Sequence, residues 1–386
     1  MIKFAFRRNL IFPLQLLLWN FLRDTESSLI SYFFEVNNFL LYTGLMFTGE
    51  FIAGLIFYLY QDYYLQKSKK EKLNNNNVVF NYIYIKRHYH KKIDIRVMFL
   101  IITSAFYDFT QFLLALHLPK YMTISGSLEQ RLRGINTIVN ALFYYFILKL
   151  PIFKHQSLSL IIITICLLII VITEFIFQEF NIYLTYAQFI LALLLIFFLQ
   201  FSNAIIESIE KYLYEYYLLN PFFVLMMEGV FGLVMYFIYS LFHNPFDEII
   251  KFKMHKTNTE FTILIFTFIL YIILSGGKNA FRVVTTKIYS PMTTTFLDYI
   301  LNPFYIIYYF VSDADFKTKG EKNYAYFIIN LITPSIITFC GGVYNEFLIL
   351  FCYGLERETH SQVTSRSNTE LELALFNDED KEIEEM

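Results

Sequence analysis

Three stretches of this chain, Gln156–Thr173, Phe180–Ile206 and Asn323–Asn345, contain no Asp, Glu, Lys or Arg. A helix rises about 1.5 Å per residue, so about 20 mostly apolar residues cross a hydrocarbon core roughly 30 Å thick. Where water is absent a segment must pair its own backbone groups, and a single segment does this only as a helix. Segments near 39–60, 97–118, 122–148, 222–243, 261–282 and 290–311 reach the same length with one to three charged residues in each. Residues 4–22 are interrupted by Arg7, Arg8 and Pro13 before the apolar Leu14–Leu22, and no small-residue cleavage site follows. The expected fold is therefore an all-α integral membrane protein of about ten transmembrane helices, with nine as the alternative.

Composition agrees. Charged residues make up 17% of the 386 and hydrophobic ones 56%, against about 25% charged in a soluble domain. With a net charge of −2 and 20% aromatics, neither a nucleic-acid footprint nor a disordered polyelectrolyte fits. The lipid bilayer is the expected partner. Cys166, Cys340 and Cys352 lie in or beside apolar runs and read as reduced thiols rather than a disulfide framework.

Lysine and arginine collect in cytoplasmic loops. The 61–96 stretch carries Lys67, Lys69, Lys70, Lys72, Lys86, Arg87, Lys91, Lys92 and Arg96, which makes it a cytosolic basic loop. Ten spans then place both termini in the cytosol, with Lys3, Arg7, Arg8, Lys149 and Lys154 on the same side. The lysines of the lumenal loops 244–260 and 312–322 are accompanied by acids such as Asp247, Glu248, Asp313 and Asp315. Residues 355–386, ending in an acidic run, read as a disordered cytosolic tail.

An ionisable side chain kept at bilayer depth costs about 2.5–3.5 kcal/mol on insertion scales, so it is normally paired or lines a wet cavity. Here the spans hold Glu50, Asp108, Glu129, Gln130, Arg131, Arg133, Glu228, Lys278, Arg282 and Asp298. Glu129 and Arg133 are spaced to share a helical face and pair. Glu50 and Glu228 each adjoin a glycine that lets helices approach closely, and each serves either proton coupling or a structural hydrogen bond, as does Asp108. Lys278 and Arg282, one turn apart near a span end, are spaced to snorkel to the interface. Arg133 suits an anionic group, because guanidinium grips planar oxyanions with two parallel hydrogen bonds.

Glu50 falls in the second span and Glu228 in the seventh, and five plus five spans is the economical division. The first repeat covers residues 1–177, with spans about 4–22, 39–60, 97–118, 122–148 and 157–177. The second covers 182–354, with spans about 183–205, 222–243, 261–282, 290–311 and 324–353.

The order of motifs resembles a known family. The pieces are Gly49-Glu50-Phe51, Asp108, Gln130 with Leu132-Arg133-Gly134, Phe153 with His155-Gln156, Glu228-Gly229 with Phe231-Gly232, Asn279 with Thr286-Lys287, Leu297-Asp298 and Tyr344-Asn345. Over about 39–346 these are similar to the drug/metabolite transporter (EamA-like) superfamily, and within it to solute carrier family 35, member F6-like group. The resemblance implies an inverted five-plus-five repeat working by alternating access in a Golgi, lysosomal or vesicle membrane. It also implies substrate contacts from Gln130, Arg133, Asp298 and Asn279. The chain departs from that pattern at Leu301, where relatives carry arginine, and at Arg282, where they carry a small residue.

The expected function is secondary-active transport of a small polar or anionic solute, a nucleotide sugar or another metabolite, with no cofactor, no metal and no nucleic acid; a homodimer is allowed. The alternatives are a non-transporting sensor or scaffold derived from a transporter, and a channel, although no filter-like re-entrant motif is present. An enzyme is not expected, since the histidines lack ligand spacing and Gly276-Gly277-Lys278 closes a span rather than opening a phosphate loop.

Overall fold

The computed structural model describes residues 2–4, 14–22, 39–74, 94–121, 127–147, 149, 152–177, 186–242, 258–289, 291–300, 303–304, 307, 310–311 and 324–350. These are helical apart from turns and one short strand pair. The helices are α1 (14–22), α2 (Phe39–Asn74), α3 (Ile95–Tyr121), α4 (Ser127–Leu132), α5 (Gly134–Phe146), α6 (Lys154–Phe177), α7 (Tyr186–Tyr216), α8 (Pro221–Ser240), α9 (Asn258–Ile288), α10 (Pro291–Tyr299) and α11 (Tyr324–Tyr344). Among the described residues 7 helices are long and apolar enough to cross a membrane: α2, α3, α6, α7, α8, α9 and α11.

Their outer faces behave as lipid-facing surfaces do. On α6 the exposed residues Leu158, Ile161, Ile165, Leu168, Ile172 and Phe175 recur at helical spacing, while Ile163, Cys166, Leu167 and Ile170 point inward. Soluble proteins rarely expose contiguous apolar patches beyond a few hundred Å², and such stripes recur on α7, α9 and α11. The chain is an α-helical multi-pass membrane protein.

Two apolar clusters anchor the bundle. Leu128 and Leu132 of α4 meet α6, Phe189, Ile196 and Leu199 of α7, and Ile337 and Cys340 of α11. Val97 and Ile101 of α3 meet Leu213 and Tyr214 of α7, Val224 and Leu225 of α8, and Ala280 and Val283 of α9. α7 takes part in both. Cys166 and Cys340 are buried, free thiols.

Glycines set the closest crossings. A Cβ placed on Gly49 would meet Ile272 O at 2.5 Å, and one on Gly276 would meet Gly49 O at 2.5 Å, so α2 and α9 touch backbone to backbone. α2 and α8 touch likewise at Gly54 against Met226 and at Gly229 against Phe51. Dispersion between closely approached backbones is the main attraction available to helices in lipid.

Several boundaries differ from the sequence reading. Of 4–22, only residue 4 and 14–22 are described, the latter as α1. The 122–148 span is broken at Arg133 into α4 and α5; Asn136 N–H donates to Arg133 O at 2.9 Å, the i,i+3 bond of a tightened turn. The 290–311 span is a regular helix over Pro291–Tyr299, with proline at its first position. The last span ends at Tyr344, and Leu348–Leu350 pairs antiparallel with Ile2–Phe4 in the register Ile2↔Leu350. The basic stretch 61–96 begins as a continuation of α2 to Asn74, not as a loop. The tail 355–386 lies outside the described residues.

α7 runs to Tyr216, well past the expected end near 205. It stops where Leu218 adopts a left-handed φ of 53° and Leu219 N–H reaches back to Leu213 O at 3.2 Å. Asn220 then caps α8, its Oδ1 accepting from Phe222 N–H at 3.0 Å, with Pro221 at the first helical position.

Candidate functional site

The extension of α7 puts Glu207 and Glu210 inside the bundle. Gln200, Asn203, Glu207, Glu210 and Tyr214 follow a three-four spacing, so they share one helical face over about 21 Å. On α9 the buried Ser275, Asn279 and Thr286, together with Arg282, form a second polar stripe. A sheltered polar interior lies along these two faces.

In its first part, carboxylates from four helices surround one arginine. Arg282 Nη2 stands 2.7 Å from Glu210 Oε1. Glu50 of α2, Asp108 of α3 and Glu228 of α8 lie close enough to act electrostatically on the same guanidinium, as Lys278 acts on Glu50 and Asp108. Glu50 Oε1 accepts from Asn279 Nδ2 at 2.6 Å, and Glu228 Oε1 accepts from Ser104 Oγ at 2.6 Å. The two bonds match in kind. In each, a glutamate beside a glycine accepts from a helix on the other side of the division at 177–182.

The second part centres on Glu207. Its carboxylate accepts from Asn140 Nδ2 at 2.6 Å, Thr294 Oγ1 at 3.1 Å and Asn136 Nδ2 at 3.4 Å, while Asn136 also donates to Thr295 Oγ1 at 3.0 Å. Asparagines from α5 and threonines from α10 thus meet one acid of α7. A third polar group stands apart. Arg131 of α4 pairs with Glu174 of α6 and donates to Asn330 Oδ1 of α11, while Tyr326 O–H donates to Glu174 at 2.7 Å. Both charges are sealed, at 0% and 1% exposure, and are held by several partners. That describes a structural clamp.

Of the residues expected to contact solute, Asn279 is buried in the first part, bonded to Glu50. Glu50, Asp108 and Glu228 all lie within electrostatic reach of Arg282, one turn further along α9. Arg133 is half-buried at the α4–α5 turn, at the start of the helix that packs against α10, so the fourth and ninth expected spans are neighbours. The side chains of Gln130 and Asp298 lie outside the described residues. So does that of Glu129, and with it the expected Glu129–Arg133 pair. Arg282 does not snorkel to the interface: its side chain is 17% exposed and points to Glu210.

Sequence reading passed over Glu207, Glu210 and Glu174 because the apolar runs were taken to end at Ile206 and Thr173. The signal was present. The three-four spacing of polar residues from Gln200 through Tyr214 says that one face stays buried past the charge-free segment.

No protein-family model matches the chain, and no curated protein matches it.

Proposed function

We propose that this chain is a secondary-active transporter of a small polar or anionic solute, working by alternating access between two related five-helix halves. The observation that carries this reading is the buried charge centre: α2, α3, α7, α8 and α9 each bring an ionisable group to it. A role in stability alone explains it poorly, since apolar residues in place of a buried ion pair are often as stabilising or more so. Charges retained within membrane helices mark solute or ion paths.

The packing supports two related halves. α2 lies against α3 as α8 lies against α9, and α5 against α6 as α10 against α11. Across the halves, α2 meets α9 as α8 meets α3, and α3 meets α7 as α9 meets α1, where Trp19 covers Gly277. The strand pair also favours ten crossings. It sets residues 2–4 beside 348–350, and reading these neighbours as lying on one side of the membrane implies an even number of passes. The 7 full-length helices make an odd number. Counting α4 and α5 as one broken span, with residues 4–22 and 290–311 as two more, restores parity. The basic stretch after the second span favours a cytosolic position for that side.

The test is transport by the purified chain in liposomes. A thermal-shift screen of small anionic and polar metabolites selects solutes that stabilise the protein, and counterflow then measures their exchange. Exchange is expected for at least one stabilising solute and is expected to be lost in Glu50→Gln and Arg282→Gln. Equal exchange in those variants overturns the assignment of the charge centre. Currents that persist without saturation would favour a channel.

A further inference from the structure

We propose that Glu210 and Arg282 form an exchangeable ion pair that couples one proton to one oxyanion: the solute replaces Glu210 on Arg282, and Glu210 takes up a proton as it is displaced. This rests on the transporter reading and adds its coupling ion and its direction, a symport.

The argument starts from how Glu210 is held. It lies 2.7 Å from Arg282 but off the line of a hydrogen bond, and neither of its oxygens has a hydrogen-bond donor among the described residues. The other buried acids around it are tied to neutral donors: Glu207 to Asn140 and Thr294, Glu228 to Ser104, Glu50 to Asn279. Glu210 depends on the arginine. The hydroxyl of Tyr214, one turn along α7 and near enough to act on Glu210, is likewise buried with no hydrogen-bond partner among the described residues. Unpartnered polar atoms in a buried site mark room for a water or a ligand group.

Exposure differs across the pair. The Glu210 side chain is 0% exposed and that of Arg282 17%, so of the two partners only Arg282 has any open surface. A carboxylate or phosphate binds a guanidinium through two parallel hydrogen bonds. Once Arg282 is occupied, Glu210 is a sealed carboxylate with no cation of its own. The groups facing it make matters worse: Glu50 from α2, Asp108 from α3, Glu207 from its own helix and Glu228 from α8 are acids, while Lys278 of α9 acts on Glu50 and Asp108, and Lys211, the next residue of α7, is turned to Glu215 and to the backbone oxygens of Lys287 and Tyr289. From α5, Tyr144 lies near Glu207. A buried carboxylate in that position is neutralised rather than left charged. The balance is simple. One proton binds a carboxylate oxygen of Glu210, one negative charge arrives on the solute, Arg282 stays protonated, and the net charge of the site is unchanged.

The experiment is calorimetric titration of the full-length purified chain with acetate and with lactate, both singly charged carboxylates near neutral pH, at three pH values and in two buffers of different ionisation heat. Uptake of one proton per anion is expected, with affinity falling about tenfold per pH unit as pH rises. Glu210→Gln is expected to bind both probes with no proton uptake and no pH dependence, and Arg282→Gln to bind neither. Binding without proton uptake in the wild type overturns the coupling while leaving the transporter reading intact; so does proton-linked binding that survives Glu210→Gln. If neither probe binds, infrared difference spectra decide. Arg282→Gln must then gain the C=O stretch of a protonated carboxylic acid that the double variant with Glu210→Gln lacks, and its absence overturns the proposal. Should Arg282→Gln fail to fold, Arg282→Met serves in its place.

Discussion

The glycine crossing between α2 and α9 can be tested by the smallest side chain there is. In Gly49→Ala the new Cβ would lie 2.5 Å from Ile272 O and 3.0 Å from Gly276 N, whereas ordinary contact begins at 3.4 Å. Both neighbours are backbone, so no rotamer relieves the clash and the helices must part by about 0.9 Å. That movement also stretches the 2.6 Å bond from Asn279 to Glu50 to the limit of a hydrogen bond. Overpacking costs about 1–3 kcal/mol and a hydrogen bond to a charged group contributes about 1.5–3, against a gain of about 1 from replacing glycine in a helix. The net loss is about 2–4 kcal/mol, which at about 2.1 cal/mol/K per residue over 386 residues lowers the melting temperature by roughly 2.5–5 °C. The control is Gly134→Ala, whose Cβ would sit 3.4 Å from Leu167 in ordinary contact, and which should melt no lower than the wild type. Thermal unfolding in detergent can be followed with a thiol-reactive fluorophore in a Cys352→Ser background, because Cys166 and Cys340 are buried until the bundle opens. If Gly49→Ala melts within about 2 °C of Gly134→Ala, the close backbone contact is refuted.

Three further outcomes follow from the polar groups. Arg131→Leu strands Glu174 at 1% exposure and should lose about 3–5 kcal/mol in equilibrium unfolding, while Arg131→Leu with Glu174→Leu should recover most of it; a double variant as unstable as the single one refutes the clamp. Glu207→Leu removes the carboxylate that accepts from Asn140 and Thr294 and should cost about 2–4 kcal/mol, whereas Glu207→Gln, which keeps an acceptor, should cost less than half as much by the same measurement. In the folded Cys352→Ser protein, a membrane-permeant maleimide should label neither Cys166 nor Cys340, as mass spectrometry would show; rapid labelling of either would contradict their burial.

Hydropathy carried most of the spans. The 7 continuous helices all fall on segments whose length and apolar content announce them, because crossing lipid is a demand on total transfer energy that composition alone expresses. The exceptions have one cause. Whether Arg131 and Glu174 can lie deep depends on their meeting, and that is set by how α4, α6 and α11 pack, not by either segment. The same holds for Glu207 and Glu210, which read as the polar end of a span until α5, α9 and α10 supply Asn140, Arg282 and Thr294. Asn279, Glu50, Asp108 and Glu228 were legible singly, as polar residues inside apolar runs. Their convergence was not, since each lies on a different helix and no local spacing links them.

The meeting of Gly49 and Gly276 has a mechanical consequence. With hydrogen atoms at the closest point and the small Ala53 as the nearest side chain, little interlocks there, and a swivel of α2 on α9 would lift no large knob out of a hole. Displacement grows with distance from such a pivot: a 10° turn moves a group about 15 Å along the helix by roughly 2.6 Å. In such a turn Glu50, next to the fulcrum, would barely shift, while the two ends of α2 would move in opposite directions.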